Sequence, residues 1–224
     1  MCSTLTGRGT EVTIEALRLG AVDCIAKPKG DARALARAGQ RLCTLVRMAA
    51  GSTVTGKARA TFRPVAGAGP LRGDMVIAIG ASTGGVEALF ELVGALPANC
   101  PPVLVVQHMP AAFTGSFAVR LNGAAAVRVV EAKDGMPLES GTVYIAPGGA
   151  RHMLLERRAL AHIRLADGDL VSGHRPSVDL LFRSAACFGN KAIGIILTGM
   201  GEDGAEGLRE MRTAGARPIG QSAE

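Results

Sequence analysis

Three apolar runs, at residues 75–79, 103–107 and 193–197, constrain this chain more than any other feature. A strand with one wet face alternates apolar and polar side chains, so a continuous apolar run demands cover on both faces, as in a parallel sheet between helices. Helical periods lie among the runs: Val86, Leu89, Phe90, Val93 and Leu96 before Pro97, and Val178, Leu181, Phe182 and Ala185 within 177–187. Further strands are expected at 126–130 and 141–146, a hairpin at 152–156 and 161–164, and a last helix over 203–212. This order predicts an α/β protein with a doubly wound, mostly parallel sheet, flanking helices and a small β-hairpin insertion. His152 and His162 are expected on the surface of that hairpin.

Residues 1–50 read differently. Thr10 is expected to cap a helix through Leu19 with Val12, Ala16 and Leu19 on one face, followed by a strand at 21–26 that Lys27-Pro28 ends. A helix over 31–48 follows, with Leu35, Leu42 and Leu45 on its apolar side. Residues 51–73 are rich in Gly, Ala and Pro without an apolar period, and read as a linker. The predicted units are therefore 1–50, the linker 51–73, and an α/β domain at 74–224.

The net charge of +6 does not mark a nucleic-acid binder, because residues 1–73 carry +8 while 74–224 carry −2. Aromatics at 3% also leave little material for stacking bases. Five cysteines without a CxxC pair make a poor disulfide framework, and no run is apolar enough to span a bilayer. These features predict a cytoplasmic protein with no membrane insertion. No histidine–carboxylate spacing indicates a metal site, and no cofactor is expected.

The strand at 75–79 runs into Gly80-Ala81-Ser82-Thr83-Gly84, a G-x-S-x-G turn that can expose a serine hydroxyl at a helix N-terminus. Such a pentapeptide also marks phosphate loops and plain turns, but the Walker lysine and the G-x-G-x-x-G pattern are both missing. His108 ends the strand at 103–107, and Asp203 follows the strand at 193–197. Parallel sheets gather the carboxyl ends of their strands along one edge, so serine, base and acid can meet there. Taken singly, His108 reads rather as a strand-end histidine bonded to backbone, and Asp203 as an N-cap of the last helix; together they favour a triad, with Glu202 the rival carboxylate. The order Ser, His, Asp differs from the Ser, Asp, His of typical α/β-hydrolases. The segment 173–179, with His174 and Arg175, opens a helix and reads as a substrate-side wall or, through Ser177, as a helix cap.

Residues 79–85, Gln107-His108-Met109-Pro110, Ala146-Pro147-Gly148, 173–179 and 198–204 together resemble the ordered motifs of the CheB family, the chemotaxis protein-glutamate methylesterases. The start, from Ser3 through Lys27-Pro28, resembles the last part of a response-regulator receiver domain, a flavodoxin-like fold. The resemblance implies Ser82 as nucleophile, His108 as base, Asp203 as orienting acid, and the amides of Thr83 and Met200 as the oxyanion hole. It implies hydrolysis of γ-glutamyl methyl esters on chemoreceptors, with methanol released, and deamidation of receptor glutamines. Partners implied are those receptors and, in the intact family, a chemotaxis histidine kinase. Ser3 and Lys27 match the receiver's switch and phosphate-contacting positions, whereas the phosphoacceptor aspartate is not in the sequence. Relative to the family the receiver part is a remnant and the catalytic domain is read as shortened after 221–224, which predicts loss of phosphorylation control. The rival readings are a general carboxylesterase and an inactive fragment that only binds receptors or signalling partners.

Overall fold

The computed structural model describes residues 2–3, 7–19, 21–22, 25–26, isolated positions between 36 and 50, 75–157, 160–199 and 201–221. Lys27, Leu35, Leu45, the linker at 51–73 and Met200 lie outside the described residues.

Six strands form one all-parallel sheet: β3 (Val76–Ala81), β4 (Val103–Gln107), β5 (Arg128–Glu131), β6 (Thr142–Ile145), β9 (Ala192–Ile196) and β10 (Arg217–Gly220), in the order β10-β9-β3-β4-β6-β5. The helices between them are α2 (Gly85–Gly94), α3 (Ala111–Ala124), α4 (Val178–Ala186) and α5 (Ala205–Thr213). An antiparallel hairpin, β7 (His152–Arg157) with β8 (Ala161–Ala166), is inserted before α4.

Alternation along the strands divides the core in two. Ile79, Val103, Val105 and Ile145 pack toward α2 and α3, against Leu89, Phe113 and Phe117. Ala78, Leu104, Val106 and Tyr144 face the hairpin, α4 and α5, against Met153, Phe182 and Met211. Burial on both faces is why β3 and β4 read as unbroken apolar runs. Each fully buried Phe or Leu contributes roughly 1.5–3 kcal/mol. Phe90 and Phe117 add an edge-to-face contact at 5.9 Å between α2 and α3.

At the start of the chain, β1 (Cys2–Ser3) pairs in parallel with β2 (Ile25–Ala26), and α1 (Gly7–Arg18) connects them. Ser3 lies opposite Ala26 in that pair. The helix α1 packs on α2 and α3. Its buried face is Thr13, Ile14 and Leu17, and Glu15 accepts from Arg120 of α3 at 2.8 Å.

Several expectations need correction. Thr10 lies inside α1 rather than capping it, and Val12 and Leu19 are 64% and 71% exposed, so the apolar face is turned from the one expected. Residues 21–22 are not strand, which leaves β2 shorter than 21–26. Described positions between 36 and 50 are helical, but Leu42 is exposed. The sequence reading assigned neither α3 nor the edge strand β10. His152 is 1% exposed, not on the surface, with Nε2–H donating to the Asp169 carbonyl at 2.8 Å and Nδ1 accepting from the Ser177 amide at 3.2 Å. His162 is partly buried beside Glu156, Nε2 to Oε2 at 3.0 Å.

Candidate active site

The carboxyl ends of β3, β4 and β9 lie side by side, with Ala81 opposite Gln107 and Gly80 opposite Ile196. Ser82 and His108 follow one residue further on, and Thr198 two residues beyond Ile196, in the loops that leave the sheet. Backbone bonds hold these loop starts together: the His108 amide donates to the Ala81 carbonyl and the Ser82 amide to the Thr198 carbonyl, each at 3.0 Å. Ser82 thus stands at the strand-to-helix turn expected of it, and Gly84, at φ 78°, makes the left-handed step that starts α2. Thr83 occupies the same turn, its carbonyl accepting from Thr198 Oγ1 at 3.2 Å.

His108 and Asp203 are joined directly, Nε2 to Oδ2 at 2.8 Å, although they lie 95 residues apart. An ionised carboxylate only accepts, so Nε2 carries the proton and Nδ1 holds the lone pair. That Nδ1 is buried and has no hydrogen-bond partner. The Ser82 hydroxyl is therefore not yet bonded to it, a separation that unliganded catalytic sites often show.

Asp203 is anchored in a way the sequence did not reveal. It does not cap its own helix: the N-cap of α5 is Gly204, and Asp203 instead sits at the N-terminus of α4. Its Oδ1 accepts from Ser177 Oγ at 2.7 Å and the Asp179 amide at 3.0 Å, and its Oδ2 takes the Val178 amide at 2.9 Å beside the His108 bond. Burial pushes the carboxyl pKa up, but the His108 bond, the two amides and the Ser177 hydroxyl outweigh it and hold the group below the usual aspartate range. The positive end of the α4 dipole acts in the same direction. Ser177 caps α4 as well, accepting from the Leu180 amide, so the helix-cap reading of 173–179 describes it. The buried His152 holds the Ser177 backbone from behind. Glu202, the rival acid, is exposed.

His174 stacks on His108 with ring centroids 3.7 Å apart and planes 4° from parallel. Its Nδ1–H donates to the Ser172 carbonyl at 2.8 Å. Arg175 points elsewhere: Nε donates to the Gly149 carbonyl at 2.9 Å and Nη1 to that of Gly168 at 2.5 Å, so it ties two loops together. His108, His174 and Asp203 are the closest group of metal-ligating atoms among the described residues, within 4.8 Å of one another. Parallel rings send their in-plane lone pairs side by side rather than toward one point, and both Asp203 oxygens already accept two donors each. The cluster is a hydrogen-bonded stack. Sequence reasoning missed the buried Gln107, whose side chain lies under the same turn.

Fold and site together define a parallel α/β protein with a serine, an imidazole and a buried carboxylate gathered at the carboxyl edge of its sheet. The chain belongs to the CheB methylesterase family, whose profile matches residues 77–224. It is 50% identical over 233 residues to protein-glutamate methylesterase/protein-glutamine glutaminase 1 of Caulobacter vibrioides, covering 99% of this chain and 65% of that protein. The protein-glutamate methylesterase/protein-glutamine glutaminase of Agrobacterium fabrum is 48% identical over 226 residues, covering 99% and 64%. The chain thus spans about two thirds of the length of these curated relatives. The crystal structure of the Thermotoga maritima CheB methylesterase catalytic domain superposes with a TM-score of 0.65 at 39% identity, covering 67% of this chain and 80% of that one. No helix among the described residues is long and apolar enough to cross a membrane.

Proposed function

We propose that this chain is a serine-dependent protein-glutamate methylesterase acting in the cytoplasm on methylated chemoreceptors, and that the same site deamidates receptor glutamines. The observation that carries the reading is the 2.8 Å bond from His108 Nε2 to an ionised, buried Asp203, which leaves Nδ1 as a base at the strand end beside Ser82.

In this reading Ser82 Oγ attacks the ester carbonyl carbon while His108 Nδ1 takes its proton. The amide of Thr83, at the N-terminus of α2, receives the oxyanion together with that of Met200. The tetrahedral species collapses, and methanol leaves with the proton from Nδ1. Water then attacks the acyl-serine, its proton passing to Nδ1 and on to Ser82 Oγ, and a free glutamate γ-carboxylate is released. A glutamine amide follows the same route with ammonia as leaving group, and the paired names of the relatives support both activities. Asp203 stabilises the imidazolium in each half-reaction. His174 and Arg175 border the substrate side, His174 through its stack on His108 and Arg175 by fixing the loops at Gly149 and Gly168.

The same reading assigns 1–50 to a receiver-derived segment, 51–73 to a linker and 74–224 to the catalytic domain. Support comes from the parallel β1-α1-β2 unit, the profile match beginning at residue 77, and relatives that align with 99% of the chain. Ser3 and Lys27 match receiver positions in that segment, and the chemotaxis histidine kinase is the partner such a segment implies.

The test is methanol release from a methylated chemoreceptor cytoplasmic domain by the parent and by Ser82→Ala, with circular dichroism to show that both fold. Release should fall on the order of 10⁶-fold in the variant. Equal release by both would refute the nucleophile, and faster hydrolysis of small ester dyes than of receptor would favour a general carboxylesterase.

A further inference from the structure

Gln107 closes the apolar strand β4 and is only 3% exposed. A buried primary amide is costly unless its donors and its carbonyl oxygen are all matched. Here only the donors are: Nε2 donates to the Ser82 carbonyl at 2.8 Å and to the His108 carbonyl at 3.2 Å, while Oε1 is buried with no partner. Chemistry forces this orientation. Both partners are carbonyl oxygens, which only accept, so turning the amide over would set Oε1 against two acceptors.

The surrounding chain is shaped to admit the group. A Cβ at position 85 would lie 2.2 Å from Gln107 Oε1 and 2.7 Å from the Ala81 Cβ, so only glycine fits there. The regular β3–β4 ladder ends at Ala81 and Gln107, extended by the His108 amide bond to the Ala81 carbonyl. Beyond that bond, the Gln107 amide continues the connection between the two chain segments. It joins the backbone of Ser82 to that of His108.

We propose that Gln107 is a positioning residue: its amide ties the serine turn to the histidine loop and fixes the approach of Ser82 Oγ to His108 Nδ1. The inference rests on the reading of Ser82 and His108 as nucleophile and base. An orphaned buried acceptor beside reacting groups is the kind of local frustration that a catalytic geometry sustains.

Two variants test it. Gln107→Met keeps the length and removes the donors; Gln107→Glu keeps the shape, supplies one O–H donor when protonated, and opposes both carbonyls when ionised. Each is measured for kcat and KM of methanol release, and for the rate at which a fluorophosphonate labels Ser82, across pH. For Gln107→Met, kcat and labelling rate should drop about 100-fold with KM within about twofold, the size expected of a misplaced reacting pair. Gln107→Glu should recover toward the parent as pH falls, and Gln107→Met should not. A Met variant within about twofold of the parent, or identical pH profiles for the two variants, would overturn the role. If Gln107→Met does not fold by circular dichroism, Gln107→Glu decides alone: activity lost more steeply than the parent's as pH rises supports the role, and a parallel profile refutes it. A parent that is labelled but releases no methanol refutes the methylesterase reading, and the labelling rates still decide Gln107. A folded parent that is not labelled overturns both.

Discussion

Replacing Asp203 by Asn tests the centre of the site with little change of shape. The carboxylate accepts four donors, two at each oxygen: Ser177 Oγ and the Asp179 amide at Oδ1, His108 Nε2 and the Val178 amide at Oδ2. An asparagine NH₂ must replace one of those oxygens. The Ser177 hydroxyl can rotate and the His108 ring can move its proton to Nδ1, but a backbone amide cannot reverse, so one amide faces a donor in either orientation. One stranded buried donor plus the lost charge on the remaining bonds gives about 3 kcal/mol at neutral pH, or about 6–12 °C in a chain of this size. The Asp203 carboxyl is held below its usual range in the folded protein. Its stabilisation is therefore present above the unfolded value, about 4, and disappears as pH falls through the lower folded one. Urea unfolding of parent and Asp203→Asn at neutral pH and at successively more acidic pH should show a large gap that closes below about pH 4. With the asparagine NH₂ toward His108 the ring proton moves to Nδ1 and removes the base, and in that orientation kcat should fall on the order of 10⁴-fold. A neutral-pH gap under about 1 kcal/mol, or one unchanged at acid pH, would mean that the four bonds do not act as described.

Two other sites yield sharp expectations. A Cβ at position 80 would lie 2.2 Å from Val178 Cγ1, on the helix end that holds Asp203, so Gly80→Ala should cost about 1–3 kcal/mol and lower activity. Val178→Ala in the same chain should recover part of both, and strict additivity in the double-mutant cycle would refute the clash. Tyr144, 2% exposed, donates to the Pro137 carbonyl and accepts from the Glu139 amide, each at 2.9 Å. Tyr144→Phe should destabilise by about 1–3 kcal/mol in denaturant, and a neutral result would show that water replaces the hydroxyl.

Strands buried on both faces were legible because residues 75–79 and 103–107 are short, apolar at nearly every position, rich in Val and Ile, and followed by Gly or His-Met-Pro turn segments. The proposed triad positions were legible because Ser82 and His108 directly follow such strands and Asp203 stands in the loop after 193–197. Helix α3 was not: Gly115, Gly123 and several alanines dilute its pattern, and its stripe of Phe113, Phe117, Ala118 and Leu121 emerges only once the helix packs. The buried face of α1 was misread because Ile14 and Leu17 are chosen by contact with α2 and α3, while local spacing offers Val12 and Leu19 equally well. The anchorage of Asp203 lay beyond any local signal, since its other donors come from residues 24 to 26 positions earlier. Gln107 differed from its strand only in being polar, which does not distinguish a strand end facing water from an amide buried under a turn.

The arrangement of helix ends explains how one sheet edge accommodates two negative charges. Asp203 is charged before any substrate arrives, and the proposed oxyanion forms close by during reaction. Two anions sharing one set of donors would raise each other's energy. Here the donors are divided. The α4 N-terminus supplies the amides of Val178 and Asp179 to the aspartate, while the α2 N-terminus begins at the serine turn on the other side of β3. His108 is bonded to the charge already there through Nε2, which leaves its buried Nδ1 as the base in the proposed reaction. In the proposed step the imidazole becomes a cation as the oxyanion forms, so the site would pass from one anion to an anion–cation–anion line whose outer members each rest on a helix N-terminus. The net charge does not change during the step. What the fold supplies is the separation of the two anions, and that separation depends on α4 and α2 arriving at the same edge from opposite faces of the sheet.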